Sequence, residues 1–237
     1  MLSTSRDGAV SLLTLERPAR RNALNIELCQ AIDAAAAAEV VAGARVLVVT
    51  GAGTSFCSGA DLTGVYGEEF LDALYAMLHG LTRLPVPLVA AVNGPAIGAG
   101  TQLALACDLR VGDVSAKFGV PTARNGMAVD TWTIRTLAAI AGGGVARRLM
   151  LAAETVDLDV ALGCGLVDRP GTLDEALTWA AEIATLAPLT LAHNKLVLNG
   201  GDDEAVARTF AACWASEDVR EAATARTEKR APLFTGR

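Results

Sequence analysis

Two glycine-rich turns, Phe56-Cys57-Ser58-Gly59-Ala60-Asp61-Leu62 and Asn93-Gly94-Pro95-Ala96-Ile97-Gly98-Ala99-Gly100, each follow a short apolar run and each open into a helical pattern. The runs before them, Val46 to Thr50 and Leu88 to Val92, read as buried strands. A chain that repeats strand, glycine turn and helix is committed to an α/β architecture. A helix N-terminus gathers free NH groups and positive dipole, and small residues let a ligand oxygen come close to the backbone. Two such turns facing each other would make a two-donor hole for an oxyanion. The same glycines also serve simply to let the chain turn tightly. Recurrence of the strand-turn-helix type shifts the balance toward a ligand.

Around the turns the organisation is regular. Ala9 to Glu16 alternates as a strand, and Ile26 to Val41 forms an alanine-rich helix without internal Gly or Pro. Glu69 to Thr82 reads as a helix, separated from Leu88 to Val92 by Pro85 and Pro87. Gly100 to Ala106 is a short apolar helix, Asp108 to Val111 a strand, and Phe118 to Val129 a loop-rich stretch. Asp130 to Ile140 is helical, and Gly142-Gly143-Gly144 ends it before a further helix, Val145 to Ala152. From Leu173 to about Thr227 the pattern is helical, broken at Pro188, at Asn199-Gly200-Gly201 and near Ser216. Residues 1–170 thus form an α/β core and residues 171–237 a helical region.

With 237 residues, 52% of them hydrophobic, the chain has ample material for a large core. A net charge of -6 argues against a sequence-independent nucleic-acid binder. No run of eighteen apolar residues and no apolar signal core is present, so the expectation is a cytoplasmic protein without a membrane span. The cysteines Cys29, Cys57, Cys107, Cys164 and Cys213 are scattered, without metal-ligand spacing, and read as small buried hydrophobes. The second turn reads G-x-x-x-G-x-G and lacks the Lys-Ser/Thr of a P-loop, and no dinucleotide fingerprint occurs.

Several segments in fixed order resemble the enoyl-CoA hydratase/isomerase (crotonase) family: Glu16-Arg17-Pro18, Asn22-Ala23-Leu24-Asn25, the two glycine turns, Cys107-Asp108-Leu109-Arg110 and Ala116-Lys117-Phe118-Gly119. The resemblance implies a crotonase-like ββα spiral followed by a C-terminal helical region that assembles homotrimers or hexamers. It implies acyl-CoA or enoyl-CoA thioesters as ligands, with CoA part of the ligand and no separate cofactor or metal. By motif position the oxyanion donors would be the NH groups of Ala60 and Ala99.

Family hydratases also use two glutamates to activate a water, and the matching positions here are Gln102 and Thr122. An amide does not titrate and a threonine hydroxyl is too weakly acidic, so ordinary hydration should be severely reduced or absent. In this the chain resembles atypical bacterial members. Asp130 matches the place of a working aspartate in some family isomerases and in chlorobenzoyl-CoA dehalogenases, and it equally suits the N-cap of the helix that follows. Dehalogenation is disfavoured, because Tyr75 and Thr122 stand where those enzymes carry a histidine and a tryptophan.

The resemblance places Arg20, Arg21, Ala23, Ser58, Asp61, Leu62 and Lys229 at the CoA-binding surface, although a basic cluster taken alone is as readily a solvated face. Three functions fit: an acyl-CoA-binding protein without standard hydratase chemistry, an isomerase using Asp130, and a non-catalytic subunit of a fatty-acid assembly.

Overall fold

The computed structural model describes residues 1–61, 63 and 67–237. Its strands and helices run β1 (Leu2–Asp7), β2 (Val10–Leu15), α1 (Ile26–Val41), β3 (Val46–Gly51), α2 (Glu68–Arg83), β4 (Leu88–Val92), β5 (Pro95–Ile97) and α3 (Ala99–Ala106). They continue through β6 (Leu109–Gly112), β7 (Lys117–Gly119), α4 (Thr131–Leu151), β8 (Thr155–Asp157), α5 (Leu158–Gly163) and β9 (Arg169–Pro170). Four helices follow: α6 (Leu173–Ile183), α7 (Pro188–Leu198), α8 (Asp203–Ala215) and α9 (Glu217–Glu228).

One sheet has the order β1-β2-β3-β4-β6-β9, antiparallel only between β1 and β2; a smaller sheet has the order β5-β7-β8. Every residue of β3 and β4 is buried because both faces of the large sheet are covered. Leu47 and Val49 pack with α1 and α2 through Leu28, Ile32, Met77 and Leu78. Val46 and Val48 pack on the opposite face with Ala176, Ala180 and Ile183 of α6. The helical segment after residue 170 therefore begins by roofing the sheet.

Local signals account for most boundaries. Asn25 caps α1, its Oδ1 accepting the Leu28 amide at 3.0 Å. Gly142, at φ 76° and ψ 153°, breaks α4 into two kinked segments, as its glycine run predicts. The strand expected from Asp108 runs instead over Leu109–Gly112, since the Asp108 carboxylate turns back to accept the Leu88 amide at 2.7 Å. The stretch expected as loop from Phe118 holds the end of β7 and a 3-10 turn, Pro121–Asn125. Cys29, Cys57 and Cys107 are buried as expected, whereas Cys164 and Cys213 are half-buried. Among the described residues, no helix is long and apolar enough to cross a membrane.

Candidate active site

The two glycine turns are fastened to one another by main-chain bonds. Cys57 and Ala96 form a parallel bridge, with Cys57 N donating to Pro95 O at 3.1 Å and Ile97 N to Cys57 O at 2.9 Å. Asn93 ties the second turn to the end of β3, its Nδ2 donating to Gly51 O at 2.6 Å and Gly53 O at 3.0 Å. The approach is close enough to require glycine. A Cβ on Gly59, which has φ +104°, would stand 2.8 Å from Ile97 O and 3.7 Å from Ala99 N, and one on Gly100 would overlap the Cys57 carbonyl.

This packing leaves two amides without a partner among the described residues. In the parallel bridge between Leu24 and Ala60, Leu24 N bonds Gly59 O at 2.8 Å and Asp61 N bonds Leu24 O at 2.7 Å. The NH of Ala60 itself points away from Leu24. Ala99 is the first residue of α3, where the helix supplies no acceptor. Among the described residues neither amide has a hydrogen-bond partner, and Ala60 and Ala99 are both lining residues of one cleft of about 130 Å³.

That cleft is walled by Phe70, Leu71, Leu74 and Tyr75 of α2, by Ile97 to Ala99 and Gln102, and by Pro121, Thr122, Asn125 and Met127 to Val129. Among the described residues no carboxylate, histidine, lysine or arginine reaches it. Gln102 sits in an entirely buried helix and is itself 2% exposed; its Nε2 donates to Thr133 Oγ1 at 2.8 Å. Thr122 also lines the cleft, from the 3-10 turn.

Asp130 does not line the cleft. It caps α4, its Oδ1 taking both the backbone NH of Thr133, at 3.0 Å, and the Thr133 hydroxyl. Its Oδ2 faces His79 Nε2 at 3.6 Å, and its backbone NH donates to Tyr75 Oη at 3.1 Å. The structure thus joins Gln102 and Asp130 through Thr133, a residue that sequence reasoning passed over. A lone amide in an apolar helix was the available signal, because such a group must find a partner.

A hollow of about 370 Å³ shares Phe70 with the cleft and is lined by Arg17, Arg20, Asn25, Ile26, Glu27, Asp61 and Thr63. Arg17 Nη2 lies 2.9 Å from Asp61 Oδ2, and its Nη1 donates to the Ala23 carbonyl. Hydrogen bonds from Thr63, then from Arg17, hold the Asp61 carboxyl down to a pKa of about 2. Ser58 bonds both neighbouring arginines through the backbone, its N donating to Arg21 O at 2.9 Å and its Oγ to Arg20 O at 3.3 Å. Arg20 lines the hollow, whereas Arg21, equally exposed, does not. Lys229 is exposed at the C-terminal cap of α9 and lines neither cavity; its neighbour Arg230 is engaged by Glu221 and Glu228. Leu62 lies outside the described residues.

A family model described as enoyl-CoA hydratase/isomerase matches residues 5–237. A protein of Mycobacterium bovis named a probable enoyl-CoA hydratase, echA6, is 45% identical over 244 residues, covering 100% of both chains. The 2,3-dehydroadipyl-CoA hydratase of Escherichia coli is 34% identical over 255 residues, covering 100% of this chain and 99% of that one. Among solved structures, an enoyl-CoA hydratase from Polaromonas superposes with a TM-score of 0.89 at 29% identity, covering 99% of each chain.

Proposed function

Given that the chain belongs to the enoyl-CoA hydratase/isomerase family and has its crotonase-like α/β fold, we propose that it binds acyl-CoA thioesters of fatty-acid metabolism. The thioester oxygen would lie between the NH groups of Ala60 and Ala99. One observation carries this reading: two unpaired amides, on turns bridged by Cys57 and Ala96, belong to residues that line one apolar-walled cleft. Donors fixed in this way need no reorganisation when charge develops on the oxygen, and each is typically worth about 10²- to 10³-fold in rate. The hollow beside Arg17 and Arg20 offers cations where the CoA phosphates would emerge. No separate cofactor is needed, since CoA arrives as part of the ligand.

Standard hydration is the part of the family chemistry we read as lost. Gln102 and Thr122 occupy the positions matched to the glutamates, and the described cleft holds no carboxylate to replace them. General acid–base groups typically supply about 10²- to 10⁴-fold each. Asp130 does not line the cleft, and its carboxylate is tied to it through Thr133 and Gln102, which gives the isomerase reading little support.

We place the protein in the cytoplasm, with residues 1–170 forming the binding core and 171–237 an assembly region building a trimer or hexamer. Exposed Phe210 and Trp214 on α8 and Leu198 on α7 support that assembly role. Calorimetry with acyl-CoA thioesters of graded length, alongside assays with 2-enoyl- and 3-enoyl-CoA, tests the proposal. Micromolar binding with hydration at or near background is expected; failure to bind any chain length would overturn it.

A further inference from the structure

The last helix, α9, holds its place on little apolar packing. Of its 12 residues only Asp218 and Ala225 are buried, and a helix of that length is marginal in water without tertiary support. The support comes from the chain that follows it. Lys229, at φ 56°, reverses the direction, and residues 231–237 run back along the helix. Exposed and half-buried positions alternate strictly along them, as in an extended segment lying on a surface.

Contacts of this segment step backwards along α9. Glu221 Oε1 accepts the Leu233 amide at 2.7 Å, and Asp218 Oδ1 and Oδ2 accept the amides of Thr235 and Gly236 at 2.8 and 3.0 Å. Glu217 N donates to Arg237 O at 2.5 Å. Asp218 is 4% exposed, and an acid buried to that degree must be satisfied. Among the described residues those two amides are the only hydrogen-bond partners of its side chain.

The other side of the same segment is held by the core. Arg45, just before β3, donates from Nη1 to Phe234 O at 2.9 Å and from Nη2 to Leu186 O, between α6 and α7, at 2.6 Å. Gly236, at φ +77°, lies so close to Pro188, the first residue of α7, that a Cβ there would stand 2.8 Å from the proline Cγ. Among the described residues, every side-chain hydrogen bond that α9 makes outside itself goes to residues 230–237. No helix or strand other than α8 makes more than marginal contact with it.

We propose that residues 231–237 are a latch that fastens α9 to the core: seated, they fix the helix, and lifted, they let α9 open as a local unit while the sheet stays folded. Arg45 and Pro188 form the catch on the core side, and Asp218 and Glu221 the grip on the helix side. Opening uncovers the side of α8 on which α9 packs. The latch is built within one chain and is independent of the acyl-thioester reading.

Hydrogen exchange of the full chain, followed by mass spectrometry, reads the latch. Arg45→Ala removes the catch, and Gly236→Val pushes the segment off Pro188 without altering α9. Each should speed exchange of the α9 amides roughly 10- to 100-fold, as loss of one or two charge-assisted hydrogen bonds implies, and leave β4 and α3 unchanged. Arg208→Ala, which removes an exposed ion pair on α8, should leave α9 as it is. Unaltered α9 exchange in either latch variant overturns the proposal, as does an equal acceleration in β4, since α9 would then open only with the whole fold. A comparable acceleration of α9 in Arg208→Ala overturns it too. Should Arg45→Ala not fold, Gly236→Val alone decides; failure of both to fold would make the segment part of the global core and overturn the latch.

Discussion

Lys195 Nζ lies 2.8 Å from Asp108 Oδ2, an ion pair that joins α7 to the foot of β6. The ammonium also donates to Leu81 O at 3.2 Å and Val86 O at 3.0 Å, so α7 is fastened to the end of α2 as well. Burial raises the Asp108 pKa even though Lys195 opposes the rise. Removing the cation alone would leave the half-buried Asp108 carboxylate with the Leu88 amide but no counter-charge from α7, and the Leu81 and Val86 carbonyls without this donor. Lys195→Met is therefore expected to lose about 3–5 kcal/mol, read from urea unfolding.

Two glycines separate conformational strain from steric contact. Gly126 has φ +66° and open space at its Cβ position, so Gly126→Ala should cost about 1–2 kcal/mol through the left-handed backbone alone. Gly59 adds the collision with Ile97 O, so Gly59→Ala should cost more and should also abolish acyl-CoA affinity. Thermal unfolding and calorimetry on both variants check the contrast; equal losses would mean that the turn contact is unimportant.

The Asp61 carboxyl supplies a pH signature. Its folded pKa of about 2 lies below the ordinary value of about 3.9, so its contribution to stability is full above pH 4 and is lost as pH falls toward 2. Urea midpoints of wild type and Asp61→Asn should therefore differ near neutrality and converge at about pH 2. A constant gap across that window would contradict the role of Thr63 and Arg17 in holding the ionised form.

Thiol labelling should sort the cysteines. Burial pushes Cys29, Cys57 and Cys107 up to about 12, so at pH 8 almost no thiolate is available and no path leads to it. Native protein treated with a disulfide reagent should react only at Cys164 and Cys213, and all five should react in denaturant. Fast native labelling of Cys57 would mean that the glycine turns open.

Restoring carboxylates offers a gain-of-function measurement. The double variant Gln102→Glu, Thr122→Glu should gain hydration of 2-enoyl-CoA above a wild-type background. At position 102 the new carboxyl would meet Thr133 Oγ1, whose proton is committed to Asp130. Two facing acceptors favour the protonated form, so hydration should improve further when Thr133→Ala is added. No gain from either construction would indicate that more than the two acids is missing.

Legibility in the sequence followed how locally each feature is determined. The bounds of α1 and β4 read directly from an uninterrupted apolar pattern flanked by Asn25 or Pro87. The turns around Gly59 and Gly98 were legible for the same reason, because positive φ demands glycine wherever it occurs. β1 was not, since five of its six residues are exposed and polar character hides an edge strand. β5, β7 and β8 are three-residue strands that exist only because of their partners. Thr133 lies 31 residues from Gln102, and only the packing of α4 against α3 reveals the pairing. Asp130 read correctly as a helix cap, while its place outside the cleft lining depended on that same packing.

Main-chain bonds between Cys57 and the Pro95–Ile97 strand, with the Asn93 amide, seat both turns, and neither Gln102 nor Thr122 takes part in holding the Ala60 and Ala99 amides. On the proposed reading, grip and reactivity are consequently under separate genetic control in this scaffold. Codons 102 and 122 can drift toward or away from acids while the amide pair passes on unchanged, so a lineage can abandon a reaction and still inherit its ligand.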